Sequence, residues 1–135
     1  MYKSILIPVL LDKSRDVDGS FKAAMAMADD TAQITLLHVF EAVPSYVADY
    51  IPPDYMNSKK DAMQGALDEM AKQLPNCRGV IAEGRAGPRI SRWAEENGND
   101  CIVIASHEPA FSDILLGSVA HHVVRHAKCA VHVIR

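Results

Sequence analysis

Five short, nearly continuous apolar runs recur along this chain, and they constrain its fold more than any other feature. Runs of this kind, without alternating polar residues, are typical of parallel β-strands that are buried on both faces. Each run is separated from the next by a segment long enough to hold a helix. The runs cover residues 3–9, 33–40, 79–84, 100–106 and 130–135.

The segments between these runs carry apolar residues at the spacing of an amphipathic helix. The first stripe comprises Val17, Phe21, Ala24, Met25 and Ala28. The second follows Ser58 and Asp61, which resemble a capping box, and comprises Met63, Ala66, Leu67, Met70, Ala71 and Leu74. The third predicted helix spans 87–98, with Pro88 in its first turn, Gly98 at its end and an inner face of Ile90, Trp93 and Ala94. The last stripe comprises Val119, Ala120, Val123, Val124 and Ala127.

Residues 41–57 interrupt this order. The stretch contains three prolines and three tyrosines without a clean period, so we predict a long loop that covers a site or an interface. The alternative is a crossover whose aromatic residues dock on the sheet. Strands and helices otherwise alternate, which implies right-handed crossovers and helices on both faces of the sheet. The predicted fold is α/β: a single domain, 1–135, with a five-stranded parallel open sheet.

Composition and charge exclude several classes of function. The chain has 135 residues, of which 49% are hydrophobic and 23% charged, as in an ordinary globular domain. The net charge is −3 without a basic run, so we expect no nucleic-acid partner. The apolar N-terminal run is too short for a membrane span and charged residues follow it at once, so we expect no membrane association and a cytoplasmic location.

The sequence contains no recognisable set of nucleophile, base and orienting residue, so we assign no catalytic residue. His122 and His126 are four residues apart, a spacing that zinc can use, but zinc needs further ligands and no Asp or Glu lies nearby in sequence. We therefore expect a surface histidine pair and no metal site. The three cysteines, Cys77, Cys101 and Cys129, lack the spacing of a zinc ribbon or a disulfide framework.

Ligands of open parallel α/β sheets bind outside the carboxyl ends of the strands, near the point where the strand order reverses. Three predicted strand ends bring residues 8–10, 38–40 and 105–108 to that edge. A second signal is the pair Gly117-Ser118, where a loop passes into the last helix, because a helix N-terminus offers backbone N–H groups to a phosphate. The alternative role for Ser118 is a helix N-cap without a ligand.

Four segments, distributed from one end of the chain to the other, resemble the universal stress protein family. They are "ILIPV", "ITLLHV", "CIVIASH" and the C-terminal "LLGSVAHHVVRHAKCAVHVIR". The resemblance implies the adenine-nucleotide alpha-hydrolase-like fold, a homodimer and, in many members, bound ATP or AMP.

The chain departs from the family motif, which is Gly-x2-Gly-x9-Gly-Ser/Thr. Ala105 and Glu108 replace the first two glycines, and eight residues separate Glu108 from Gly117. The loop Ser106-His107-Glu108-Pro109 resembles that of a subgroup that includes nucleotide binders. Leu10 stands where many binders carry an aspartate that meets the ribose, and its side chain accepts no hydrogen bond.

The resemblance assigns roles to the strand ends and to the last helix. Val9 and Val39 would flank the adenine ring, while the phosphates would meet the helix start at 117–119. Glu108 would repel a phosphate unless a Mg²⁺ ion bridged it or Asp113 to the ligand, and no lysine or arginine lies between Arg92 and Arg125. The predicted ligand-binding residues are Pro8, Val9, Leu10, Val39, Ala105, Ser106, His107, Glu108, Gly117, Ser118 and Val119.

The last apolar run, from Ala130 to Arg135, is predicted to be an edge strand without a proline to protect it. We therefore expect a homodimer that pairs this strand with its copy. The alternative is a monomer in which Arg135 and the chain terminus protect the edge strand from pairing. The function predicted is a dimeric regulatory module that binds an adenine nucleotide. The alternatives are a stress protein that acts only through its dimer and partner surfaces, and a weak ATPase.

Overall fold

The computed structural model of the chain describes residues 1–11, 17–41, 43–106 and 116–135. Five strands form one sheet: β1 (Tyr2–Pro8), β2 (Ala28–Phe40), β3 (Cys77–Glu83), β4 (Cys101–Ala105) and β5 (Ala130–Ile134). The helices of the described residues are α1 (Asp18–Met27), α2 (Ser45–Ala48), α3 (Pro53–Ala71), α4 (Ala86–Glu96) and α5 (Ser118–His126). None of these helices is long and apolar enough to cross a membrane.

All strand pairs in the sheet are parallel, and the strand order is β3-β2-β1-β4-β5. The chain first moves outward from β1 to β2 and β3, and then returns to the other side of β1 with β4 and β5. The order therefore reverses next to β1, and the carboxyl ends of β1, β2 and β4 meet at one edge of the sheet. The predicted α/β fold is confirmed.

Helices cover both faces of the sheet, as the apolar stripes predict. On one face, α1 and α3 bury Phe21 and Leu67 against strand residues such as Ile7. On the other face, α4 and α5 bury Trp93 and Val123 against the neighbouring strand positions. Because successive side chains of a strand point to opposite faces, the apolar runs supply both cores at once.

The loop predicted for 41–57 is wrong, because this stretch contains α2 and the first residues of α3. Helix α3 begins at Pro53, where proline's fixed φ suits the first helical position and its missing N–H costs nothing. The predicted start at Ser58 was therefore too late. Ser58 and Asp61 lie inside α3 on its exposed side, where the capping-box pattern has no helix end to cap.

Three residues assigned to buried stripes are exposed. Met25 in α1 is 43% exposed and Val124 in α5 is 46% exposed, while Ala66 lies on the outer side of α3. Each follows or precedes a correctly predicted core residue by one position, which on a helix turns a side chain by about 100° away from the sheet. Strand β2 also begins earlier than expected, at Ala28.

Candidate functional site

A cavity of about 600 Å³ lies over the carboxyl end of β2, and we call it the β2 chamber. This volume is within the range of small-molecule sites in proteins. Its walls come from both sides of the sheet edge, with α3 on one side and the starts of α4 and α5 on the other. The apolar part of the wall includes Val39, Tyr55, Met56, Met63, Ala86 and Val119.

The backbone of β2 presents the N–H and C=O of Val39 to this region as an open hydrogen-bonding edge, which no other described residue occupies. The Leu37 carbonyl accepts a bond from the Val9 N–H of the neighbouring strand (2.9 Å), whereas the Phe40 carbonyl accepts from Gly84 on the opposite side (3.0 Å). Because successive residues of a strand alternate sides, the N–H and C=O of Val39 point the same way as those of Leu37. Strand β1 has ended at Pro8, so β1 no longer lies opposite Val39.

A second, much smaller cavity of about 50 Å³ adjoins the end of β1 and β4. Pro8, Val9 and Ala105 line it, and Leu10 lines both this cavity and the β2 chamber. Sequence reasoning thus named residues that the fold brings together: the ends of β1, β2 and β4 converge around the Leu10 side chain. Among the described residues, the side chain shared by the two cavities is that of Leu10, which offers only apolar surface to either of them.

The start of α5 differs from the sequence prediction for Ser118. Gly117 is the N-cap, because its carbonyl accepts the bond from His121 (2.8 Å), and Ser118 is the first helical residue with no capping hydrogen bond. The Gly117 N–H donates to the Ser106 carbonyl (2.6 Å), so it is engaged within the protein and is not an open phosphate donor. The N–H groups of Ser118 and Val119 lie in the first turn, where a helix supplies no partner of its own.

Ser106, which follows β4, is 2% exposed, and its N–H donates to the Ile134 carbonyl (2.7 Å). It therefore ties the end of β4 to β5 and to the start of α5. His107 and Glu108 lie outside the described residues, as does the rest of the loop in which the Ser-His-x-Pro likeness was seen. Their predicted roles stay predictions.

Lysines reach the β2 chamber from α3, a segment in which the sequence predicted no ligand-binding residue. Lys59 and Lys60, both on α3, line the chamber. The Lys60 ammonium nitrogen lies 5.2 Å from the centre of the Phe40 ring, a cation–π distance that holds it at the end of β2. Both lysines lie outside the stretch between Arg92 and Arg125, which carries no lysine or arginine, and α3 brings them to the strand ends. The exposed Glu41 also lines the chamber.

His38 is a buried polar residue at the same strand end, and sequence reasoning gave it no role. It is 4% exposed and lines the β2 chamber. Its Nδ1 atom lies 3.0 Å from the carbonyl oxygen of Val9 and 3.4 Å from the backbone nitrogen of Leu11. The histidine therefore links the end of β2 to the segment that follows β1. A histidine near the carboxyl end of the apolar run 33–40 is the signal that could have identified it.

The histidines of α5 form a stacked pair. The ring centres of His122 and His126 lie 4.0 Å apart, and among the described residues no three His, Cys, Asp or Glu side chains are grouped as a metal site. Burial lowers the pKa of His122 from 6.5, and the nearby charges of His126, Arg85 and His121 lower it further.

The cysteines lie in separate places as free thiols. Burial raises the pKa of both Cys77 and Cys101 to about 11, and it also raises the pKa of Cys129. A thiol with such a pKa is almost wholly protonated at neutral pH, and the thiolate is the nucleophilic form. These three side chains are therefore poorly suited to redox or nucleophilic chemistry.

A larger groove of about 1020 Å³ lies at the opposite, amino-terminal end of the sheet. Charges of both signs line it, among them Asp30, Asp68, Lys72 and Arg78. We favour the smaller β2 chamber as the functional site because it stands at the carboxyl ends of the strands, next to the reversal of strand order. It also has the more apolar wall and the open backbone edge of Val39.

Comparison with known proteins gives a family match over the full chain. The model of the universal stress protein family matches residues 1–135. Universal stress protein G of Shigella flexneri is 30% identical over 142 aligned residues, which cover 100% of this chain and 100% of that protein. The solved structure of universal stress protein UspA from Lactobacillus plantarum is 28% identical, with a TM-score of 0.73, over 99% of this chain and 98% of that one.

Two of the more distant structures with the same fold are nucleotide complexes. A universal stress protein from Archaeoglobus fulgidus was solved in complex with dAMP (TM-score 0.63, 16% identity, covering 99% of this chain and 98% of that one). A universal stress protein family member from Arabidopsis thaliana was solved with AMP bound (TM-score 0.64, 17% identity, covering 98% of this chain and 90% of that one). At these identities the likeness establishes a shared fold.

Proposed function

This chain belongs to the universal stress protein family, and from that premise we propose that it binds an adenine nucleotide, ATP or AMP, in the β2 chamber. Relatives of the same fold were solved with AMP and dAMP, which supports an adenine ligand. The observation that carries the proposal is the open backbone edge of Val39, which stands in the wall of an apolar cavity at the carboxyl ends of the strands.

The base would lie against Val39 and the apolar wall formed by α3. An adenine ring offers an amino group as donor and a neighbouring ring nitrogen as acceptor, which match the C=O and N–H of one residue. Val9 and Leu10 would border the ribose from the end of β1, with Pro8 and Ala105 behind them. Leu10 gives the ribose no hydrogen bond, so we expect weaker binding than an aspartate would give at that position.

The phosphates would extend toward the start of α5, where the N–H groups of Ser118 and Val119 and the positive end of the helix dipole favour an anion. Lys59 and Lys60 would add positive charge from the α3 side. Binding of ATP would depend on Mg²⁺ if Glu108 faces the phosphates, as the sequence predicts. We assign no catalytic residue and propose a regulatory binding module located in the cytoplasm.

The first test is whether the protein holds a nucleotide. Mass spectrometry of gently purified protein identifies a retained ligand, and calorimetry measures the affinities of adenosine, AMP and ATP with and without Mg²⁺. Ala86→Phe places a large side chain in the chamber from the start of α4, and we expect it to weaken AMP binding at least about tenfold by steric exclusion. Thr31→Phe, in the groove at the opposite end of the sheet, is the matched control and should bind as the parent does.

Two outcomes would contradict the proposal. A parent protein that binds no adenosine, AMP or ATP would favour the alternative of a stress protein without a small-molecule ligand. Weakened binding in Thr31→Phe with normal binding in Ala86→Phe would move the site to the opposite groove. Thermal melting of both variants checks that a loss of binding is not a loss of folding.

We also propose that the protein forms a homodimer through β5. This strand is at an edge of the sheet. The Ile134 carbonyl accepts the Ser106 N–H, so Ile134 and His132 turn their backbone groups toward β4. By alternation, Val131 and Val133 turn theirs outward, and an antiparallel two-fold copy of the strand would satisfy them.

This alternation gives a paired test of the dimer. Val133→Pro removes an outward N–H and leaves the bonds between β4 and β5 intact, so we expect a folded monomer. His132→Pro removes an inward N–H, so it should lower the melting temperature more strongly. Light scattering at micromolar concentration measures the assembly, and a monomeric parent would contradict the proposal.

A further inference from the structure

The two contacts of the His38 ring determine which nitrogen carries its proton. A carbonyl oxygen only accepts, so the 3.0 Å contact with Val9 requires a hydrogen on Nδ1. A backbone N–H only donates, so the 3.4 Å contact with Leu11 requires Nδ1 without one. Both cannot hold at once, and the shorter contact lies within ordinary hydrogen-bond range while the longer lies beyond it.

In the neutral ring, a proton on Nδ1 leaves a lone pair on Nε2. Within the described part of the chain, Nε2 has no hydrogen-bond partner, and the ring lines the β2 chamber. Nε2 is not among the fully buried side-chain atoms without a partner in the described residues, so it is accessible to a group that enters the chamber. His38 thus offers the chamber an acceptor, Nε2, whose position is fixed by the hydrogen bond from Nδ1 to the Val9 carbonyl oxygen.

We propose that His38 selects the base, its Nε2 accepting a hydrogen bond from the exocyclic amino group of adenine. This inference rests on the proposed function. An amino group has two hydrogens, so it can donate to the Val39 carbonyl and to Nε2 together. Hypoxanthine carries an oxo group at that position, which would place two acceptors against each other and leave Nε2 without a partner.

The selection is measured as the ratio of AMP to IMP affinities, determined by calorimetry at pH 8. We expect the parent to prefer AMP at least about tenfold, because sites built around a hydrogen bond discriminate strongly against ligands that cannot make it. His38→Asn keeps an amide nitrogen near the position of Nδ1 but has no atom at Nε2, and its preference for AMP should fall about tenfold. His38→Gln places an amide oxygen near Nε2 and should keep most of the preference.

The tautomer is tested without a nucleotide. Two-bond ¹H–¹⁵N spectra of the labelled parent at pH 8 should show His38 with its proton on Nδ1, and AMP should shift the Nε2 resonance. A proton on Nε2 would overturn the inference whatever the variants do. An AMP to IMP ratio that is the same in the parent and in folded His38→Asn would also overturn it while leaving nucleotide binding intact. A parent that binds neither nucleotide would overturn the proposed function, and this inference with it.

Discussion

Replacing Gly79 by alanine should push α3 away from the sheet. Gly79 lies in β3, directly under α3, and a Cβ atom there would stand 2.6 Å from the Leu67 Cβ and 3.2 Å from the Leu67 carbonyl carbon. Carbon atoms in favourable contact are about 3.5–4.0 Å apart, so the helix must move by about 1 Å. Leu67 is fully buried and part of the obstacle is backbone, so a change of rotamer gives little relief.

The cost of such overpacking is typically about 1–3 kcal/mol of unfolding free energy. For a chain of this size, each kcal/mol lowers the melting temperature by roughly 3–5 °C. The displacement should also weaken AMP binding, because α3 carries Tyr55, Met56 and Lys59 into the wall of the β2 chamber. Urea unfolding measures the loss of unfolding free energy, and calorimetry measures the loss of AMP affinity.

Gly65→Ala is the matched control for this experiment. Gly65 lies in the same helix, and a Cβ atom there would meet nothing within 4 Å. We expect the unfolding free energy of this variant to be about 0.5–1 kcal/mol higher than that of the parent, because alanine favours the helix more than glycine does. A Gly79→Ala protein as stable as the parent, with unchanged AMP affinity, would refute the packing of α3 on β3 described above.

Three further changes test the site and its surroundings. Lys59→Ala should weaken ATP binding by a few-fold without affecting adenosine, since an exposed ammonium acts on phosphates alone; equal losses for both ligands would contradict this. Leu10→Asp should tighten adenosine and ATP alike, by about 1 kcal/mol for one added hydrogen bond to the ribose, and a gain for ATP alone would argue against a ribose at this position. The pKa of His122 is lowered in the folded protein, so a proton binds this histidine more readily in the unfolded state, and the unfolding free energy falls as pH drops through about 6.5. Urea titrations at pH 7.5 and 5.5 should therefore show a smaller fall in unfolding free energy for His122→Gln than for the parent.

The fold was predictable because the sequence shows two patterns that determine it: continuous apolar runs for the buried strands and apolar residues at helical spacing between them. The runs 33–40 and 100–106 became β2 and β4, and the stripe with Ile90, Trp93 and Ala94 became the buried face of α4. Packing on a sheet requires these patterns, so they are visible without a structure. Boundaries were less accurate where local signals compete, as at Pro53 and Ser58, because both can begin a helix.

The position of the candidate site in the fold was predictable in part. Topology alone brings the ends of β1, β2 and β4 to one edge, so Val9, Leu10 and Val39 could be named from the sequence. The wall that α3 supplies could not be named, because it depends on how this helix, whose first residues were expected to be a loop, packs over the strand ends. Lys59 and the bond between His38 and Val9 are contacts of that kind, and no sequence spacing encodes them.

The most direct test of nucleotide binding in the β2 chamber is a ¹H–¹⁵N correlation spectrum of the labelled protein during titration with AMP. The account predicts that the amide signals of Val39, Ser118 and Val119 shift in step and reach saturation. The signals of Thr31 and Asn76, at the opposite end of the sheet, should stay in place. Saturating shifts confined to that opposite groove, or no shifts at millimolar AMP, would contradict the account.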